Sequence, residues 1–186
     1  VFHWPCLGAA PLKPSSPPAD RAVVPDAPFA AGYFPAHCEA PPMSDPGSVE
    51  ETYHAAIQHD LADLSGEEFL VGVVRRPTGW FRSTVDANYP ELGPPEDLLS
   101  ETKDRQEDLK MQGMCDEGAH NAAWEETNFE ERYLEYVRGS AEAQDRLDDL
   151  TDRVADGESV VLVCFEGEDK RCHRHLLVDE LERRLA

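Results

Sequence analysis

Lysine is the scarcest charged residue in this 186-residue chain: only Lys13, Lys103, Lys110 and Lys170 occur, against 13 arginines and 38 Asp+Glu, for a formal net charge of -21. So few cations cannot build a broad basic face, which excludes a protein that follows a nucleic-acid backbone over a long track. Cysteine is thin and irregular, with Cys6, Cys38, Cys115, Cys164 and Cys172 forming no even, patterned set. That excludes a secreted disulfide framework. No apolar run approaches the ~20 residues of a membrane span. The first residues show no basic segment followed by an apolar one, so no secretory leader is expected. A cytoplasmic protein without a membrane role is the resulting expectation. Missing too are a phosphate loop, Gly-x-Gly-x-x-Gly, His-Glu-x-x-His and a serine elbow, so the reaction classes those motifs carry receive no support.

What is present is acid. Acidic chains poor in aromatics often stay unfolded, but 40% of these residues are hydrophobic and they recur with clear periodicity, so a folded domain is expected. The charge fits a surface adapted to high salt, of haloarchaeal type. At molar salt the Debye length shrinks to about 3 Å, and repulsion among surface carboxylates largely disappears.

The acid is not spread evenly. Residues 1–42 hold 10 of the 15 prolines and only five charged residues, Lys13, Asp20, Arg21, Asp26 and Glu39. Residues 43–186 hold 15 basic and 35 acidic residues. Met43-Ser44-Asp45-Pro46 reads like a start of translation. The first 42 residues are therefore either a disordered Pro-rich arm or an extension assigned from too early a start codon, and the second reading is favoured because a real tail should share the acidic composition. His3, Cys6, His37 and Cys38 carry little weight as ligands for that reason.

In residues 43–186, apolar positions at Val49, Tyr53, Ala56, Ile57, Leu61 and Leu64 predict a helix over 48–64, with Ser48 as N-cap and Glu51 completing a capping box. Phe69–Val74 and Ser159–Cys164 are continuous apolar runs that suit strands buried on both faces. Residues 78–95, with their glycines and prolines, read as mostly loop. Helices are predicted over 95–113, 129–138, 141–155 and 172–185. Two buried strands joined by helices imply a parallel pair, hence a small layered α/β fold with a short, mostly parallel sheet flanked by helices.

The second strand ends in Cys164-Phe165-Glu166, an acidic turn follows, and Cys172-His173-Arg174 opens the last helix. This signature resembles the family called domain of unknown function 488 (DUF488). Val73-Val74-Arg75-Arg76-Pro77 resembles that family's first strand with its terminal arginines, and segments at Tyr89–Pro94 and Phe129–Tyr133 resemble its middle portion. The resemblance runs from about Phe69 to Leu185. Two features depart from it: Gly72 and Val73 stand where an aspartate often precedes the arginine, and the loop Thr78–Tyr89 is atypical. The resemblance implies the fold and the place of a site, and no reaction.

The residues themselves say where that site is. In an open parallel sheet, ligands bind beyond the carboxyl ends of the strands. Arg75 and Arg76 end one strand, Cys164 and Glu166 the other, and the helix opening at Cys172 points its positive end at the same edge. Arg75, Arg76, Arg171, Arg174 and His173 would gather cations there in an otherwise acidic protein, which suits a phosphate-bearing small molecule or nucleotide, or a single nucleic-acid phosphate. Trp80 is a candidate to stack on a base. If the site is catalytic, Cys164 or Cys172 is the nucleophile, His173 the base, and Glu166 a further candidate. Each residue also has a structural reading: the thiols as apolar filler, Trp80 as core, and Arg174 as an ion-pair partner of Glu166 or Asp169. Cys164, Cys172, His173 and His175 form a Cys2His2 set, but Cys-x7-Cys-His-x-His is not a standard zinc spacing and adjacent Cys172 and His173 are expected to leave opposite sides of a turn. No metal is assigned on those grounds. Cys115 and His120 read as part of a polar surface loop, with a lid over the site as the alternative.

Overall fold

A computed structural model describes residues 47–186 of the chain; the expectations for residues 1–42 lie outside the described residues. Its sheet is built on the most apolar stretch of the sequence. The five residues of β4, Val160–Cys164, are all buried, and each apolar side chain removed from water there contributes roughly 1.5–3 kcal/mol. A strand hydrophobic on both faces needs neighbours on both edges and helices on both faces. It finds β2, Phe69–Gly72, on one edge in parallel register Gly72↔Val163, and β1, Val49–Tyr53, on the other with Tyr53↔Cys164. A two-residue strand β3, Ala87–Asn88, extends the far side, giving the order β1-β4-β2-β3, parallel throughout.

Seven helices surround it in the described residues: α1, His54–Gln58; α2, Gly79–Arg82; α3, Glu96–Met111; α4, Asp116–Glu126; α5, Phe129–Gly139; α6, Ala141–Ala155; and α7, His173–Leu185. Helices α6 and α7 pack on β4, α5 packs on both, and α3, α4 and α5 pack on one another. The core joins Val71, Val73, Leu92, Phe129, Tyr133, Leu147, Leu162 and Leu181 into one cluster. None of the described helices is long and apolar enough to cross a membrane.

The helix predicted over 48–64 is not formed. Its first part is the strand β1, and only His54–Gln58 is helical. The capping box is absent: the Ser48 hydroxyl bonds Glu50 and Ser159, and Glu51 reaches His175 and Arg174 on α7. The cause is non-local, since β4 offers an open edge that Val49–Tyr53 fills in register. Leu61, expected on the apolar face, is 71% exposed. The polar stretch after Gly113 is also not a loop. Gly113 (φ +97°) turns the chain out of α3, in the left-handed region that glycine enters without strain. Cys115 then caps α4 by accepting from the Gly118 N–H at 3.4 Å. Small residues Ala119 and Ala123 let α4 approach Leu109 of α3 closely.

Candidate active site

Because β2 and β4 are adjacent and parallel, the chain leaves both at the same edge. Cys164 is the last residue of β4, and Cys172 is the extended residue immediately before α7, with φ -141° and ψ 143°. The loop between them brings the two sulphurs together. Cys164 Sγ, Cys172 Sγ and a ring nitrogen of His173 all lie within 4.8 Å of one another, and all three residues are buried. Cys172 Sγ sits 3.7 Å from His173 Nδ1. The expectation that these neighbours diverge does not hold at this junction of loop and helix.

The state of the imidazole follows from its partners. His173 Nε2 lies 2.8 Å from the Val73 carbonyl oxygen, just past the end of β2. A carbonyl only accepts, so Nε2 carries the hydrogen and donates it. Nδ1 is then the ring nitrogen that faces Cys172. Tyr133, fully buried, packs edge-on against the ring with centroids 5.3 Å apart and holds its plane. The two thiols are unequal. The Cys164 S–H, as donor toward the Cys172 sulphur, holds the Cys172 thiol well below its usual value against the opposing effect of burial, and the neighbouring His173 and Arg174 act in the same direction as that donor. The same contact and burial push Cys164 well up. Of the two, Cys172 is the thiol whose deprotonated form is favoured.

Over this cluster lies a cleft of about 230 Å³. The thiols and His173 form one end, and Val74, Arg75 and Arg76 follow from β2. Helix α3 contributes Leu99, Ser100, Thr102, Lys103 and Gln106, and α4 and α5 contribute His120, Trp124 and Phe129. Trp124 stacks on Phe129 with centroids 3.9 Å apart, and its buried indole Nε1 has no hydrogen-bond partner among the described residues. Helix α4 also fixes the acidic loop. His120 Nε2 donates to the Arg171 carbonyl at 2.8 Å, and the Asn121 amide donates to the Asp169 carbonyl and accepts from the Arg171 N–H. A larger, shallower depression of about 710 Å³ lies beside α5, but its rim is acidic, with Glu125, Glu130, Glu131 and Glu135, and it includes neither thiol.

The structure brings some of the sequence-predicted residues together and spends others elsewhere. Cys164, Cys172, His173, Glu166, Arg75 and Arg76 all line the cleft. Arg75 is committed internally: its guanidinium donates to the carbonyls of Gly93 and Pro94 and, at 2.8 Å, to the Tyr136 hydroxyl. Arg76 is exposed and paired with Glu96, and Arg171 pairs with Glu125 at 2.8 Å. The Glu166 carboxylate lies 3.5 Å from Lys170. Arg174 does not reach the cleft. It is 2% exposed, donates to the Glu166 backbone carbonyl rather than its carboxylate, and has Glu51 at 3.7 Å. His175 pairs with Glu51, away from the thiols. Trp80 is half exposed and does not line the cleft; it packs on His54 and on Phe165 in a cluster beside it. Sequence reasoning missed Lys103 and Trp124. Lys103 lines the cleft and makes no ion pair among the described residues, although carboxylates are abundant.

Residues 55–185 match the family described as "Active DUF488-N3 subclade". The chain therefore belongs to the DUF488 family, as its Cys-x-Glu and Cys-His-Arg segments led us to expect. No curated protein and no solved structure matches it.

Proposed function

We propose that this DUF488 member is a thiol-dependent enzyme whose cleft takes a phosphate-bearing or nucleotide-like ligand, with Cys172 as the nucleophile. The observation that carries the reading is the Cys172 Sγ to His173 Nδ1 contact of 3.7 Å, oriented by the Nε2–H bond to Val73 and opening on a cleft. A thiol beside an imidazole whose other nitrogen is fixed is the arrangement that activates a cysteine. The Cys172 proton passes to His173 Nδ1, the thiolate attacks an electrophilic carbon or phosphorus, and the departing group takes the proton from Nδ1. Water then cleaves the covalent adduct and restores the thiol. The apolar wall of Leu99, Trp124 and Phe129 suits a flat ring, and Lys103, Arg76 and Arg171 suit an anion at the rim. A cation without an acidic partner is worth noting in a chain of charge -21. A broad nucleic-acid face has no support.

The test is protection from alkylation in molar KCl, read residue by residue by peptide mass spectrometry. Nucleoside monophosphates and inorganic phosphate are the probes, and Cys115, which does not line the cleft, is the internal control. We expect a probe to slow iodoacetamide labelling of Cys172 and not of Cys115, and Lys103→Ala to weaken that protection about tenfold, the ~1.4 kcal/mol of one charge-assisted contact. Equal labelling of Cys172 with and without every probe at millimolar concentration overturns the reading. Protection that survives in the absence of any turnover points instead to a non-catalytic nucleotide-binding module.

A further inference from the structure

The same cluster has a second capacity, one that does not depend on the reaction proposed above. We propose that Cys164 Sγ, Cys172 Sγ and His173 Nδ1 form a three-donor site for a thiophilic divalent cation of the zinc type, with its fourth position open to the cleft.

The donors have the right chemistry and the right spacing. Zinc takes thiolate at about 2.3 Å and imidazole nitrogen at about 2.0–2.1 Å in a tetrahedron, which sets sulphur and nitrogen donors about 3.6 Å apart. The Cys172 Sγ to His173 Nδ1 distance is 3.7 Å, and all three donor atoms fall within 4.8 Å of one another without a metal. A contraction of under about 1 Å would complete the set, within the reach of side-chain rotation.

The histidine is prepared for the role in a way that simple packing does not require. Metal-bound imidazoles almost always donate their second N–H to a carbonyl or carboxylate, which fixes the tautomer and turns the free lone pair to the metal. His173 does this through Nε2 and the Val73 carbonyl at 2.8 Å. The supporting atom is backbone at the end of β2, so it is held by the sheet itself. Charge favours the cation as well. Two thiolates and a neutral imidazole carry minus two, which a divalent ion cancels in a place where an unpaired buried charge is costly. Binding releases the thiol protons to solvent and needs no oxidant.

Three protein donors with the fourth position open is the arrangement of catalytic rather than structural zinc. All three residues border the cleft, and Glu166, two residues past Cys164, borders it too. A water or a ligand oxygen from the cleft would fill the open position. A loaded cluster has no free thiolate, so metal binding and nucleophilic attack by Cys172 exclude one another. The spacing is not a standard zinc pattern, but Cys172 and His173 do not diverge as adjacent residues opening a helix were expected to. His175 is not part of the set, because it is engaged by Glu51.

The experiment uses the full chain, reduced, in molar KCl, carrying Cys6→Ser, Cys38→Ser and Cys115→Ser so that only two thiols remain. Titration with Co2+ should give a thiolate-to-cobalt charge-transfer band and the strong visible bands of tetrahedral cobalt, saturating at one equivalent and lost on adding Zn2+. Cys164→Ser and Cys172→Ser should each lose the charge-transfer intensity, whereas His175→Ala should keep it. If a variant fails to fold by circular dichroism, alkylation of the otherwise unaltered chain decides the matter: Zn2+ should block labelling of Cys164 and Cys172 and leave Cys115 labelled. A cobalt spectrum without thiolate bands, or Zn2+ that leaves both thiols as reactive as before, overturns the site. Failure here with nucleotide protection of Cys172 intact removes the metal alone. Cobalt binding with no nucleotide protection removes the ligand reading alone.

Discussion

Arg174 separates a structural account of the Cys-His-Arg signature from a ligand-binding one, and Arg174→Met is the perturbation that decides it. Methionine keeps most of the buried alkyl volume, so what is lost is the cation and its bonds. The guanidinium donates to the Glu166 carbonyl, which ties the Cys164–Cys172 loop to the first turn of α7. A hydrogen bond to a charged donor contributes about 1.5–3 kcal/mol. Glu51 would also lose its neighbour. Breaking a fully buried pair costs about 3–5 kcal/mol, but the Glu51 side chain is 27% exposed and keeps His175, so we assign this loss only ~1 kcal/mol. Together the substitution should cost ~3 kcal/mol. At roughly 2–4 °C per kcal/mol for a chain of this size, the melting temperature should fall by about 10 °C. Thermal unfolding followed by circular dichroism in molar KCl measures it. Glu51→Gln should cost about 1 kcal/mol, and the double variant should cost less than the sum, because the two residues share a contact. If Arg174→Met melts within ~2 °C of the parent, the internal tie is worth little and the reasoning fails.

Three further outcomes can be checked. With 35 acidic against 15 basic residues in 43–186, dilution from molar to millimolar salt should unfold the protein as screening is lost, and an unchanged circular dichroism spectrum would contradict this. Gly93→Ala should destabilise by roughly 2 kcal/mol in urea, because a Cβ there would meet the Arg75 backbone nitrogen at 2.5 Å; its φ of -73° adds no strain, so an unaffected variant would refute the close approach. Acid should weaken the fold in molar salt. The backbone N–H of Ser65 holds the Glu68 carboxyl down at about 2, and the Tyr89 hydroxyl holds Asp149 low. Folded values below the unfolded ones mean that this stability is present above about pH 4.5 and lost as pH falls toward 2. The urea midpoint should therefore drop between pH 6 and pH 3, and a flat profile would argue against these bonds; high salt is needed because protonation otherwise also relieves acid-acid repulsion.

The elements legible in the sequence are those whose own side chains decide them. The five apolar residues of β4 specify a central strand wherever they are placed, and the periodic apolar faces of α5, α6 and α7 put their ends within a residue or two of the structure. Elements decided by a neighbour were not legible. Val49-Glu-Glu-Thr-Tyr53 carries apolar residues four apart, as a helix would, and becomes a strand only because β4 presents an open edge. Helix α4 packs through alanines, which announce no apolar face, and its start rests on a cysteine cap.

The same distinction governs the site. The carboxyl edge of a parallel sheet was predictable, and with it the arrival of Cys164, Cys172 and His173 at one edge; that Cys172 and His173 turn toward each other was not, since neighbours opening a helix were expected to diverge. The role of each cation was not, because a sequence displays charges without their partners. Arg75 follows the end of β2 and Arg174 lies in the first turn of α7, and both tie loops at that edge: one holds the Gly93–Pro94 carbonyls, the other the Glu166 carbonyl. Lys103 sits inside a helix dense with charge, where no local pattern sets it apart from a solvated surface. Its place on the cleft is fixed by how α3 packs against α4 and α5. In this fold Arg75 and Arg174 build the walls of the site, and a cleft-lining cation without an acidic partner among the described residues, Lys103, comes from a helix about sixty residues before Cys164 in the chain.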